Sequence, residues 1–262
     1  MNALKKVPAF GLGISTGSFR EHVAAILAMG REHRSAYVCC VNVHMCMEAQ
    51  ANAPFREVVN GADLATADGM PIVKSVNKFN RIAQERVAGN DLMPAVLAEA
   101  EKEGLSVFLH GGEPHVLEKI TGRMAMDHPR LKIAGAYSPP FRQATAAERE
   151  EEAARIRQSG AHIVLVSLGC PKQERWMAEM KGRVPAVMLG VGGAFLLYAG
   201  MDTRAPLWMR KASLEWLYRL ALEPRRLWKR YLVTNTSFIL LYVKELARHG
   251  KASAGQITGG GK

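Results

Sequence analysis

Asp68 is the residue most suited to chemistry. It lies at the middle of the stretch 62–73, ADLATADGMPIV, which reads as a short buried strand that runs into Asp68-Gly69 and then turns into a helix. In α/β proteins ligands bind in the crevice beyond the carboxyl ends of the strands. A carboxylate placed there is a candidate general base, able to take a proton from a hydroxyl as it attacks an activated carbon. Asp-Gly is also a common turn pair, and local sequence alone leaves both readings open.

Other polar groups fall at similar places. Asn42 and His44 lie at the end of the apolar run 36–43, AYVCCVNV. A lone His at a strand end is more often structural than chemical. His110-Gly111-Gly112 and Gly190-Val191-Gly192-Gly193-Ala194 are glycine-rich strand ends of the kind that let backbone approach a phosphate. Neither is a full dinucleotide fingerprint or a P-loop. In 169–174, GCPKQE, Gly and Pro shape a loop that presents Lys172, Gln173 and Glu174, either to a ligand or as a solvated helix start. The four cysteines (Cys39, Cys40, Cys46, Cys170) form no CxxC pair, and His44 completes no zinc spacing, so free thiols are expected. The five aspartates (Asp63, Asp68, Asp91, Asp127, Asp202) are scattered, with no Asp-x-Asp pair to hold a divalent ion. No metal and no cofactor are expected. If a diphosphate leaves, arginines would neutralise it.

These residues need a scaffold. Runs of strand length recur at 36–43, 105–109, 131–136, 163–168 and 186–191, separated by helical patterns at 19–32, 90–101, after Pro114, and from the capping box Thr145–Glu148 to Gln158. That alternation predicts an α/β fold, a mostly parallel Rossmann-like sheet with helices on both faces. Residues 1–18, with GLGISTGS, read as turns. Asn90 or Asp91 is expected to cap the helix that follows the basic segment 74–86. Beyond Trp208 only helical, basic sequence remains. The domains expected are a catalytic unit at 1–204, a basic amphipathic appendage at 205–250 and a disordered tail at 251–262.

At 262 residues the chain can bury a sizeable core, and its net charge is +11. From Arg204 to Lys251 there are eleven Lys or Arg against three acids (Glu215, Glu223, Glu245), so 11 − 3 = +8 of that charge sits in this segment. Three of the four tryptophans interleave with it. Trp- and Arg-rich amphipathic helices suit an anionic membrane surface, and Arg clusters also clamp diphosphates. The bland alternative is a packed helical hairpin with a solvated basic face. Nucleic acid fits less well, because no recognised module is present. Met1 to Phe10 carries Lys5-Lys6 but no apolar signal-peptide core, and no apolar run reaches the ~20 residues of a spanning helix. A cytoplasmic protein with peripheral membrane contact is expected.

Five motifs in order, ADGMPIV (67–73), RVAGND (86–91), GCPKQERW (169–176), GVGGAF (190–195) and LEWLYRLALEPRRLWKRYL (214–232), make the chain resemble the WecG/TagA/CpsF glycosyltransferases over about Asn42 to Leu246. The resemblance implies inverting transfer of a hexose or N-acetylhexosamine, of the N-acetylmannosamine type, from a UDP-sugar to an undecaprenyl-diphosphate-linked sugar. The setting it implies is the inner face of the cytoplasmic membrane. It implies Asp68 as base and Gln173 and Glu174 in the nucleotide-sugar site. Arg225, Arg226 and Arg230 would sit on an appendage that closes over the pocket. With Asn42, His44, Arg86, Asn90, Gly111 and Gly192 they make up the candidate substrate-binding set. A homo-oligomer is a possible assembly. Cys40 stands where the family often has a threonine, and Leu196 follows Phe195 where it usually has an aspartate, which leaves the donor sugar open. The rival from another class is a non-catalytic, membrane-peripheral binding protein using the same basic helices. A nicotinamide dehydrogenase lacks its glycine fingerprint.

Overall fold

The computed structural model describes residues 4–258 except 213 and 223; the side chains at 211, 219, 226, 227, 229–232 and 249–258 are outside that description. The chain opens with a hairpin, β1 (Lys6–Ala9) and β2 (Leu12–Ser15), paired antiparallel with Ala9 opposite Leu12. Phe10 and Gly11 form its two-residue turn, both left-handed at φ 54° and 72°. The sequence reading made this segment turns only. Its apolar residues are too few to signal strands by period, and their partners arrive later in the chain.

Next come α1 (Phe19–Arg31), β3 (Ala36–Val41), α2 (Val43–Ala51), α3 (Ala53–Asn60), β4 (Leu64–Ala67), α4 (Met70–Asn80), α5 (Gly89–Glu103) and β5 (Ser106–Gly111). Then follow α6 (Pro114–Asp127), β6 (Lys132–Tyr137), α7 (Ala146–Ser159), β7 (Ile163–Ser167), α8 (Lys172–Met180) and β8 (Val187–Gly190). The described chain ends with α9 (Ala194–Tyr198), α10 (Leu207–Lys211), α11 (Glu215–Leu222) and α12 (Pro224–Thr258). α12 thus runs into the stretch 251–262 that composition assigned to a disordered tail; 259–262 lie outside the described residues.

Six strands form one parallel sheet in the order β4-β3-β8-β7-β5-β6, as the alternating pattern predicted. The central strands are buried on both faces, which explains their unbroken apolar runs. On one face Cys39, Val41, Ala67, Val164, Val166 and Met188 pack with the hairpin, α3, α7 and α8. On the other Val38, Cys40, Leu64, Leu109, Leu165 and Leu189 pack with α1, α5 and α6.

Capping follows the sequence at two helices. Ser18–Glu21 and Thr145–Glu148 both form reciprocal capping boxes. At α5 it does not: the cap is Ala88, which has no side-chain acceptor, and neither Asn90 nor Asp91 takes that position.

β4 is an edge strand that is nevertheless closed. Ala65 N donates to Ser15 Oγ at 3.0 Å, Thr66 Oγ1 donates to the Val87 carbonyl at 2.7 Å, and Val87 N donates to the Ala67 carbonyl at 2.9 Å.

α12 returns across the molecule and packs on α2 and α4. Phe238, 8% exposed, meets the Phe10 ring at 5.2 Å between centroids, and Tyr242 meets Phe79 at 5.7 Å. Burying a side chain of that size stabilises the docking by about 2–3 kcal/mol.

Candidate active site

A cavity of about 300 Å³ opens at the carboxyl ends of β4, β3 and β8. Its floor is Asn42, His44, Asp68, Gly69, Asn90, Val191 and Gly193, and its outer wall is Arg210, Glu215, Trp216, Thr234 and Asn235 from α10, α11 and α12.

Strand pairing sets Asp68: its backbone N–H continues the parallel ladder to the Val41 carbonyl at 3.0 Å. Its Oδ2 accepts from Gly89 N at 3.4 Å, so the carboxylate lies at the start of α5, where the cap residue offers no acceptor. That contact and the positive end of the helix favour the charged form. Burial opposes them and dominates, raising the Asp68 pKa to about 6; Arg86 pulls it down, while Glu215 and Asp91 push it up. A carboxylate so tuned is still ionised at neutral pH and is a stronger base than an ordinary aspartate.

Asn42 caps α2, its Oδ1 accepting from Met45 N at 3.1 Å, which leaves its amide N–H donors for the cavity. Gly69 caps α4 with no side-chain acceptor. Three helices, α2, α4 and α5, therefore begin at this cavity, a concentration of N–H donors that favours an anion. Arg210 adds a full positive charge, and its buried Nε has no hydrogen-bond partner among the described residues.

Arg86 does not line the cavity. Its guanidinium pairs with Asp91 at 2.8 Å and with Glu215 at 3.4 Å, tying α11 to the sheet domain, and Arg204 meets the other Asp91 oxygen at 2.7 Å.

Gln173 and Glu174 are buried rather than solvated. Gln173 Nε2 donates to Glu174 Oε1 at 2.6 Å, while Gln173 Oε1 and Glu174 Oε2 find no hydrogen-bond partner among the described residues. Burial pushes the Glu174 pKa up. A Cβ on Gly190 or Gly192 would come within 3.2 and 3.5 Å of the Gln173 amide, so the pair lies under the end of β8, behind the cavity rather than in its lining.

The family model for the glycosyl transferase WecG/TagA/CpsF family matches residues 7–252, nearly the whole chain. The chain belongs to this glycosyltransferase family. Its members act in cell-surface polysaccharide synthesis, and the α/β sheet with a C-terminal helix agrees with that assignment.

Of the residues singled out from sequence, this glycosyltransferase brings Asn42, His44, Asp68 and Asn90 together in one cavity. Gly192 sits between two lining residues, Val191 and Gly193. Gly111 ends β5, two strands away from β8, and lines no part of the cavity. Arg225 is exposed and also absent from the lining; the side chains of Arg226 and Arg230 lie outside the described residues. The arginine that does line it, Arg210, went unselected, as did Glu215, Trp216, Thr234 and Asn235. One signal for the last two was visible: TNTS at 234–237 is a polar run between the apolar stretches 231–233 and 238–243. Cys40, at the family's threonine position, is buried beside the Asp68 strand, and burial pushes its thiol well above the usual range.

Proposed function

We propose that the protein is an inverting UDP-sugar transferase that moves a hexose or N-acetylhexosamine, of the N-acetylmannosamine type, to an undecaprenyl-diphosphate-linked sugar. The observation that carries this reading is Asp68. A carboxylate with a pKa raised to about 6 stands where three helix N-termini meet, in a family of glycosyltransferases. Asp68 takes the acceptor hydroxyl proton. The oxygen attacks the anomeric carbon from the face opposite UDP, and the bond to the diphosphate breaks with inversion. Asn42, His44 and Asn90 orient the sugar. Gln173 and Glu174 support the nucleotide side from beneath β8. Arg210 and the helix N-termini offset the charge that develops on the leaving diphosphate, so the reaction runs without a divalent ion.

Residues 1–204 form the catalytic domain and 205–250 the appendage that brings it to an anionic membrane. Exposed Trp208, Trp216, Leu217 and Trp228 among the basic residues support that role. No helix among the described residues is long and apolar enough to cross a membrane. The lipid-linked acceptor would reach the cavity from that surface.

A panel of UDP-sugars with a short-chain lipid-diphosphate acceptor tests the reading, with and without EDTA. Transfer from one UDP-sugar, undiminished by EDTA, is expected. No transfer from any of them would reject it. The rival binding-protein reading expects no UDP affinity in the full chain or in a chain cut at Leu207, whereas the transferase binds UDP in the full chain, keeps a weakened UDP affinity on that cut because Arg210 is removed, and loses transfer.

A further inference from the structure

Phe10 occupies an unfavourable place. It is the first turn residue of a two-residue hairpin at φ 54°, a conformation for which Asn, Asp and Gly are suited and a bulky aromatic is not. Its side chain is 3% exposed and meets Phe79 of α4 at 5.3 Å and Phe238 of α12 at 5.2 Å, both edge-on. Phe79 in turn meets Tyr242 of α12. One turn before Phe238 on the same helix, Thr234 and Asn235 line the cavity. Side chains three and four residues apart on a helix share a face, so whatever holds Phe238 also sets Thr234 and Asn235.

From this we infer that Phe10 is a positioning residue for the acceptor side of the cavity. The N-terminal hairpin seats α12, and through it fixes Thr234 and Asn235, the part of the outer wall that α12 supplies. The backbone conformation supports this: strain persists where surrounding contacts over-determine it, and here those contacts are the rings of Phe79 and Phe238. The opposite face of α12 carries exposed Val233, Ile239, Leu240 and Val243. The same seat therefore also fixes the direction in which that apolar stripe points relative to the cavity. The part of this inference that concerns the acceptor rests on the transferase reading above; the seating of α12 does not.

The decisive variant is Phe10→Asn. Asn-Gly is a favoured pair for this turn, so the hairpin keeps its turn while the ring contact is lost. Amide hydrogen exchange of the full chain is expected to accelerate about tenfold or more across residues 234–245, with β1–β2, β3 and β4 as protected as in the wild type. The KM for the lipid-linked acceptor should rise about tenfold and UDP affinity should change by less than about twofold, a split that general unfolding would not give. Phe238→Ala removes the same contact from the other side. The double variant should be no worse than the more damaged single one. Unchanged exchange in 234–245, an unchanged acceptor KM despite faster exchange, or additive single effects would each overturn the inference. If the wild type transfers no sugar, the reading of function fails by itself, and hydrogen exchange still decides whether Phe10 seats α12.

Discussion

Replacing Asp68 with asparagine should make the protein more stable and less active at once. The carboxyl group has an ordinary pKa near 3.8 and is raised to about 6 in the fold, chiefly by burial. The native state therefore holds its proton up to about pH 6, while the unfolded chain releases it near pH 4. Between these values the folded form binds more protons, so its stability falls as pH rises. Above pH 6 the loss is complete. Two units at 1.36 kcal/mol each give about 3 kcal/mol, and about 1–3 kcal/mol once solvent at the cavity mouth is allowed for. An asparagine side chain does not titrate, so D68N should gain that much over the wild type at pH 7.5 and lose most of the advantage at pH 3, where the wild-type carboxyl is largely protonated in both the folded and the unfolded state. Urea unfolding of both proteins at the two pH values measures the gain directly. Transfer at pH 7.5 should fall by a factor of about 10²–10⁴, the usual worth of a positioned base. Equal stability at pH 7.5, or a gain of the same size at both pH values, would refute the account of Asp68 as a charge held at a cost. Full turnover by D68N would refute its role as base.

The acid limb of kcat/KM should lie near pH 6, and Arg86→Gln should move it upward by about one unit, because the guanidinium is the main influence holding the Asp68 pKa down. A pH–rate profile shows the shift. Burial lowers the His110 pKa to about 3, and its ring stacks on Trp176 at 4.1 Å with neither nitrogen hydrogen-bonded among the described residues. The fold thus keeps this His neutral and loses stability as pH drops from 6.5 toward 3. His110→Phe should avoid that loss, its advantage growing by about 1.4 kcal/mol per pH unit in acid unfolding. Gly111→Ala should destabilise by about 2–4 kcal/mol in urea, since φ is +100° and a Cβ would stand 2.4 Å from the Ser167 carbonyl oxygen.

The parallel sheet was legible because its strands are short, aliphatic and separated by helices with visible caps. Asn42, Asp68 and Asn90 were legible as a site for the same reason: each follows a strand or opens a helix, and such positions converge in this architecture. What could not be read locally was the outer wall. Arg210, Glu215, Trp216, Thr234 and Asn235 reach the cavity only because α12 docks on the hairpin, α2 and α4, and that contact has no spacing to reveal it. The hairpin itself was missed for a related reason. Val7, Leu12 and Ile14 look like stray apolar residues until Phe238 and Phe79 cover their turn. Gln173 and Glu174 read from sequence either as groups presented to a ligand or as a solvated helix start, and the fold buries them.

The closed edge of β4 has a consequence for fidelity of pairing. Side chains alternate along a strand, so a slip of one residue against β3 would turn Asp68 away from the cavity and send Ala67 toward it. An edge strand with a single neighbour is the part of a sheet most prone to such a slip, and to recruiting a foreign strand. Ser15 occupies the Ala65 N–H and Val87 the Ala67 carbonyl, two outward groups that would otherwise be free to re-pair, and the Thr66 hydroxyl holds Val87 in place. The residue at greatest risk from misalignment is thus held in phase from both sides.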